Sequence, residues 1–243
     1  MQIWGLTDPG CVRSQNQDAY QIVQLDRSTW LAVVCDGMGG AKSGNIASSL
    51  ATDVFVQEVK RVHKSGMSQE QVEQMLRGGA KLANFTVYDQ SQEFEDFGGM
   101  GTTLVAAYIS GRKATVVNVG DSRCYAVSRD GIQQITTDHS LVQMMIRRGE
   151  LTAEQARFYP GKNYITRAIG TEPTVECDIF KWKMERGSAL LLCSDGLHGV
   201  MDDQEILFEV VHGVNKANCC QRLLDIAKTR GAPDNVTSVL VLA

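Results

Sequence analysis

The chain has 243 residues, 43% of them hydrophobic, with a formal net charge of -4. That is ample material for one large core, and the acidic balance argues against nucleic acid or an anionic membrane as a general partner. Seven cysteines without a C-x-x-C spacing read as buried free thiols in a reducing compartment. Nothing resembles a secretory leader, and no apolar run nears the ~20 residues of a membrane span, so a cytoplasmic protein is expected.

Short strands are predicted at residues 3–7 and 19–25, around a polar turn, residues 8–18, that carries Arg13, Asn16 and Asp18. The six apolar residues 30–35 (WLAVVC) suit a strand buried on both faces, and they stop at Asp36 and Gly37. Ile46, Ala47, Leu50, Ala51 and Val54 then recur at helical spacing, as do Val72, Met75, Leu76, Gly79, Ala83 and Val87. Two amphipathic helices follow from this, with Ser68 as N-cap of the second.

From Thr102 the period becomes strand-like, over residues 102–110, 114–119, 122–127 and 131–136. The short connections predict antiparallel hairpins. Two short helices, 140–148 and 152–158, precede an irregular stretch at 159–170. Strands return at 175–183 and 188–194, followed by helices near 203–211 and 216–230 and a last strand at 236–242. Antiparallel strands with continuous apolar runs need cover on both faces. Two packed sheets with helix pairs outside meet that need: an α+β, four-layer α-β-β-α sandwich in a single domain, residues 1–243.

Four of these strands carry an aspartate at one end. Asp36 follows VVC, Asp121 follows VVNVG, Asp195 follows LLLCS, and Asp234 stands just before the closing strand. Any one of them reads as an ordinary Asp-Gly or Asp-Asn turn. Together they read as a constellation, because unpaired carboxylates at the mouths of buried strands are expensive without a cation between them. Oxygen donors with no neighbouring imidazole or thiolate select Mg²⁺ or Mn²⁺ over Zn²⁺.

Two hard divalent ions among aspartates form a site for displacement at phosphorus. Enzymes accelerate phosphate monoester hydrolysis by up to ~10²¹-fold, whereas a lone general base supplies about 10²- to 10⁴-fold, so a metal-free aspartate mechanism falls short. Arg13 offers a guanidinium fork for phosphoryl oxygens; the other reading is a surface arginine paired with Asp18. Two rivals fail on spacing. The P-loop pattern laid over residues 36–43 finds Asp36 and Ala41 where glycines belong, and no cysteine has an arginine six residues on, as a cysteine phosphatase needs.

The chain resembles the metal-dependent protein Ser/Thr phosphatases of the PPM, or type 2C, family in its compact bacterial form. Eight motifs carry the resemblance in family order: TDPGCVRSQNQDA (7–19), VVCDGMGG (33–40), MGTT (100–103), VGDSR (119–123), TTDHS (136–140), TRAIG (166–170), CSDGL (193–197) and PDNVT (233–237). The resemblance implies that Asp36 bridges two central Mn²⁺ or Mg²⁺ ions, with the Gly37 carbonyl on one and Asp195 and Asp234 on the other. Asp121 would join Asp195 at a third, looser ion. Arg13 would hold the substrate phosphate and Asp18 would order metal-bound water. A metal-bridging water would then attack phosphorus directly in phosphoserine or phosphothreonine proteins, with no phosphoenzyme, and residues 140–170 would form a flap contributing to substrate choice. A cognate Ser/Thr kinase is the implied partner, and the expected state is a monomer.

The sequence departs from the family pattern where a histidine often follows the glycines and a glutamate stands four residues later; here the residues are Ala41 and Asn45. The flap's usual His-Pro-x-Arg is replaced by FYPGK at 158–162; if the histidine after the glycines protonates the leaving oxygen elsewhere in the family, a water must do so here. The rival function from another class is a catalytically weak or inactive relative that binds phosphoproteins. His139 and His198 are read as structural. Arg147, Arg148, Arg157, Lys162 and Arg167 make the flap basic, either as a solvated face or to meet a phosphopeptide.

Overall fold

The computed structural model describes residues 1–40, 43–93 and 95–243. One sheet runs in the order β1-β11-β10-β7-β8, formed by Gln2–Asp8, Val236–Leu242, Ala189–Cys193, Arg123–Ser128 and Gly131–Gln134. The other runs β2-β3-β5-β6-β9, formed by Asp18–Gln24, Thr29–Met38, Leu104–Ser110, Lys113–Val119 and Asp178–Lys183, with the short β4, Gly101–Thr102, paired to the end of β3. Every strand pair is antiparallel.

Three buried clusters stack through the molecule. Ala32, Val34, Val105, Val116, Leu190, Leu192 and Val239 interdigitate between the sheets. Helices α1 (Gly44–Val62) and α2 (Gln69–Glu93) cover the second sheet, packing Phe55, Val59, Leu76 and Val87 on Leu31, Val33 and Leu104. Helices α6 (Asp203–His212) and α7 (Cys219–Thr229) cover the first, packing Ile206, Val210 and Leu223 on Tyr125, Leu191 and Leu240. The expected α-β-β-α layering is therefore present. Alternating residues of one strand feed different interfaces, Val34 inward and Val33 and Cys35 toward the helices, which is why the strands read as unbroken apolar runs.

Local signals hold in several places. Ser68 caps α2 in a reciprocal box with Gln71: its Oγ accepts from the Gln71 backbone N–H at 3.3 Å, and Gln71 Oε1 accepts from the Ser68 N–H at 2.8 Å. Between β8 and β9 lie α3 (Leu141–Arg147) and α4 (Ala153–Arg157), in the region expected to form the flap. Between β10 and β11 a single helical turn, α5, spans Asp195–His198.

Three readings are corrected. The strand expected to end at Cys35 continues to Met38, because Gly101 and Thr102 supply a pairing partner beyond Asp36. The strand expected over 102–110 breaks at Thr103, whose N–H donates to the Asp36 carbonyl at 2.9 Å. The connection from β6 to β7 is not a hairpin: Gly120, Asp121 and Ser122 carry the chain from one sheet to the other. Six of the seven cysteines are buried, but Cys11 is exposed in the loop after β1. Ala41, noted above for its departure from the family pattern, lies outside the described residues. Among the described residues no helix is long and apolar enough to cross a membrane.

Candidate active site

Strand pairing brings the first two acids together, since Asp18 of β2 stands directly across from Asp36 of β3. The Asp36 backbone is fastened by neighbouring threonines. Its N–H donates to Thr103 Oγ1 at 2.9 Å, and its carbonyl accepts from Thr102 Oγ1 at 2.8 Å. Gly37 must be glycine: a Cβ there would lie 2.0 Å from the Gly44 carbonyl oxygen at the start of α1, so the helix packs directly on the strand's backbone.

Asp18 is only 8% exposed. Its Oδ2 accepts from Ser194 Oγ at 2.7 Å and Thr237 Oγ1 at 2.6 Å, so residues at the ends of β10 and β11 grip a carboxylate from the other sheet. Its Oδ1 is buried without a partner among the described residues, as are Oδ1 of Asp121 and Oδ1 of Asp195. Burial pushes the Asp18 carboxyl up to about 7 despite the two hydroxyl bonds, which oppose the shift. Asp36 is raised well above the usual carboxylate range by burial, then by the charges of Asp18, Asp195, Asp121 and Asp234. Asp121 is raised likewise, by burial and then by Asp195 and Asp138. Asp195 is raised by burial and by Asp234, against the opposing effects of a hydrogen bond with Asp36 and the charges of Arg13 and Lys162.

The sequence-selected carboxylates thus share one rim. Arg13 joins them through Asp234 rather than Asp18: its Nη2 donates to Asp234 Oδ2 at 2.9 Å in a half-exposed pair. The loop carrying Arg13 is held by Asn235, whose Nδ2 donates to the carbonyls of Pro9 and Gln15 and whose Oδ1 accepts from the Gln17 N–H. Of the basic flap residues, Arg167 is partly exposed and donates to Asp178 Oδ1 at 3.2 Å.

Sequence reasoning passed over the hydroxyl set of Thr102, Thr103, Ser194 and Thr237 as individual actors. Ser194 and Thr237 had a signal, because each stands within three residues of an aspartate at the end of an apolar run, whereas Thr102 and Thr103 have no such neighbour in sequence. Among the described residues no three His, Cys, Asp or Glu side chains close tightly enough to cage an ion by themselves. The candidate donors are carboxylates, which suit a hard cation that keeps several of its waters. With no thiolate or imidazole in the cluster and three orphaned buried oxygens at its rim, the residues present fit Mg²⁺ or Mn²⁺.

Comparison with known proteins agrees with this frame. A family model for protein phosphatase 2C matches residues 12–226. The chain is 33% identical over 235 residues to the serine/threonine phosphatase stp of Listeria monocytogenes, covering 97% of this chain and 93% of that one. It is 34% identical over 242 residues to protein phosphatase PhpP of Streptococcus pneumoniae, covering 99% and 97%. The solved structure of Stp1 from Staphylococcus aureus superposes with a TM-score of 0.93 at 35% identity, covering 100% of this chain and 94% of that one. Family match and fold together define a phosphoprotein phosphatase, a hydrolase. The chain belongs to the protein phosphatase 2C family, in the compact bacterial form of the PPM-type serine/threonine phosphatases.

Proposed function

We propose that the protein hydrolyses phosphoserine and phosphothreonine in proteins with the help of Mn²⁺ or Mg²⁺. Asp36, the Gly37 carbonyl, Asp195 and Asp234 would hold two central ions, and Asp121 with Asp195 a third, looser one. The observation that carries the reading is the set of three buried carboxylate oxygens, on Asp18, Asp121 and Asp195, that have no partner among the described residues and are gathered from both sheets at one rim. When bound, such cations supply Lewis acidity, neutralising charge on the phosphoryl oxygens and making water a nucleophile near neutral pH.

The chain's own groups supply the rest. Arg13 turns its fork from Asp234 to the phosphoryl oxygens once that carboxylate's charge is neutralised. Asp18 directs its unpartnered Oδ1 toward water at the rim, while Ser194 and Thr237 keep the side chain from rotating. Water attacks phosphorus directly. Cys35 and Cys193, on the strands leading into the site, are buried with their thiols pushed up to about 12, which leaves them unfit as nucleophiles. The proton for the departing serine or threonine oxygen comes from solvent water.

The decisive experiment is release of phosphate from a phosphothreonine peptide with and without Mn²⁺. Mn²⁺-dependent release that survives thiol alkylation of the folded protein is expected. Calorimetry showing no Mn²⁺ binding would favour an inactive phosphoprotein-binding module instead. By its family, a Ser/Thr kinase of the same cytoplasm is the proposed supplier of substrate, and the enzyme works as a monomer.

A further inference from the structure

Two histidines that the chemistry above does not use, His139 buried and His198 half-buried, converge on the turn between the sheets. The chain crosses there through Gly120 and Asp121, which lie outside the strands of both sheets. Gly120 has φ +105° and a Cβ on it would meet Thr103 Cγ2 at 2.6 Å, so the turn is both unusual in backbone and tightly seated.

Each histidine takes one backbone group of this turn. The Gly120 N–H donates to His139 Nδ1 at 3.0 Å, and the Asp121 carbonyl accepts from His198 Nε2 at 3.0 Å. An N–H can only donate and a carbonyl can only accept, so both tautomers follow. His139 carries its proton on Nε2 and donates it to Asp178 Oδ2 at 3.2 Å. Arg167 Nη1, 3.1 Å from that same nitrogen, therefore serves Asp178 rather than the ring. His198 must hold its proton on Nε2, and burial, with Arg123 nearby, keeps its pKa well below the usual imidazole value.

The placement of His198 gives the clamp its meaning. It is the last residue of α5, and Asp195 is the first. One rigid turn thus carries a carboxylate at one end and, at the other, the imidazole that holds the peptide of Asp121. The separation of Asp121 from Asp195 is set by that turn, while His139 stops the crossover from rotating about it.

We propose that His198 and His139 are positioning residues that fix Asp121 relative to Asp195 and thereby set the affinity of the looser cation site. The inference rests on the reading of Asp121 and Asp195 as ligands of that ion. Groups that orient metal ligands in this indirect way typically change affinity by about 10- to 100-fold when removed.

The test is calorimetric titration of the full chain with Mn²⁺ alone, comparing His198→Leu, which lacks a donor, with His198→Gln, whose amide N–H sits at a similar reach. His198→Leu is expected to weaken the loosest Mn²⁺ by about 10- to 100-fold while the tighter ions bind as before, and His198→Gln to recover most of the loss. His139→Leu and His139→Asn, the second keeping an acceptor for the Gly120 N–H, should repeat the pattern. Should His198→Leu fail to fold, His198→Asn, polar but too short to reach the Asp121 carbonyl, takes its place. A folded His198→Leu with the parent isotherm overturns the clamp, and so does a His198→Gln as impaired as the leucine variant. Asp121→Asn separates the two failures: if it removes the loose site and the histidine variants do not, only the clamp is wrong, whereas an unchanged isotherm removes Asp121 from the ligands.

Discussion

At the scale of single residues, the site is an electrostatic debt distributed over a few side chains. Asp36 and Asp195 lie at its centre, each raised by burial and by other acids around them. Asp36→Ala and Asp195→Ala should each lower the Mn²⁺-dependent rate on a phosphothreonine peptide by at least about 10²-fold, and a rate retained in either variant would overturn the assignment. Arg13 is different, because it is half-exposed and touches only one acid directly. Arg13→Ala should raise KM by about 10- to 100-fold with a smaller effect on kcat, as a charged hydrogen bond to phosphate is worth roughly 1.5 to 3 kcal/mol. An unchanged KM would remove it from the substrate site. The acids were legible in the sequence because charge at the mouth of an apolar run is conspicuous. Arg13's partner was not: Asp18 and Asp234 are both plausible until the fold places Asn235 against the loop at Pro9, Gln15 and Gln17.

At the scale of elements, period and capping located nearly every strand and helix, and β11 was read to the residue. The misses share a physical cause. Glycine reads as a terminator, yet Gly37 remains in β3 because β4 pairs with it, and the backbone of α1 approaches too closely for any side chain. Gly37→Ala should therefore destabilise the protein by at least about 1 to 3 kcal/mol in urea denaturation, the cost of overpacking against immobile backbone. Stability equal to the parent would mean that the start of α1 is free to move. Likewise, a three-residue connection reads as a hairpin, yet Gly120, Asp121 and Ser122 step between sheets. Local sequence carries no information about which sheet receives the next strand, and it is this step that places Asp121 at the rim.

At the scale of the whole molecule, acids from both sheets make the apo protein pH-sensitive in an unusual direction. An acid whose folded pKa is raised binds protons more tightly in the native state, so stability falls as pH climbs from the unfolded value toward the folded one. For Asp18 that window runs from about 4 to about 7, and each such group contributes at most about 1.4 kcal/mol per pH unit. Metal-stripped protein should accordingly lose thermal stability between pH 4 and pH 7, as followed by circular dichroism. Mn²⁺ at neutral pH should raise Tm, since a ligand that binds only the native state stabilises it by mass action. A metal-free Tm that rises steadily across that window would contradict the buried-acid account.

The pairing of β1 with β11 sets Gln2 opposite Leu242 and Asp8 opposite Val236. Asp234 and the grip of Asn235 on the Arg13 loop are consequently contacts between segments more than 200 residues apart, so the rim closes only once β1 and β11 have paired.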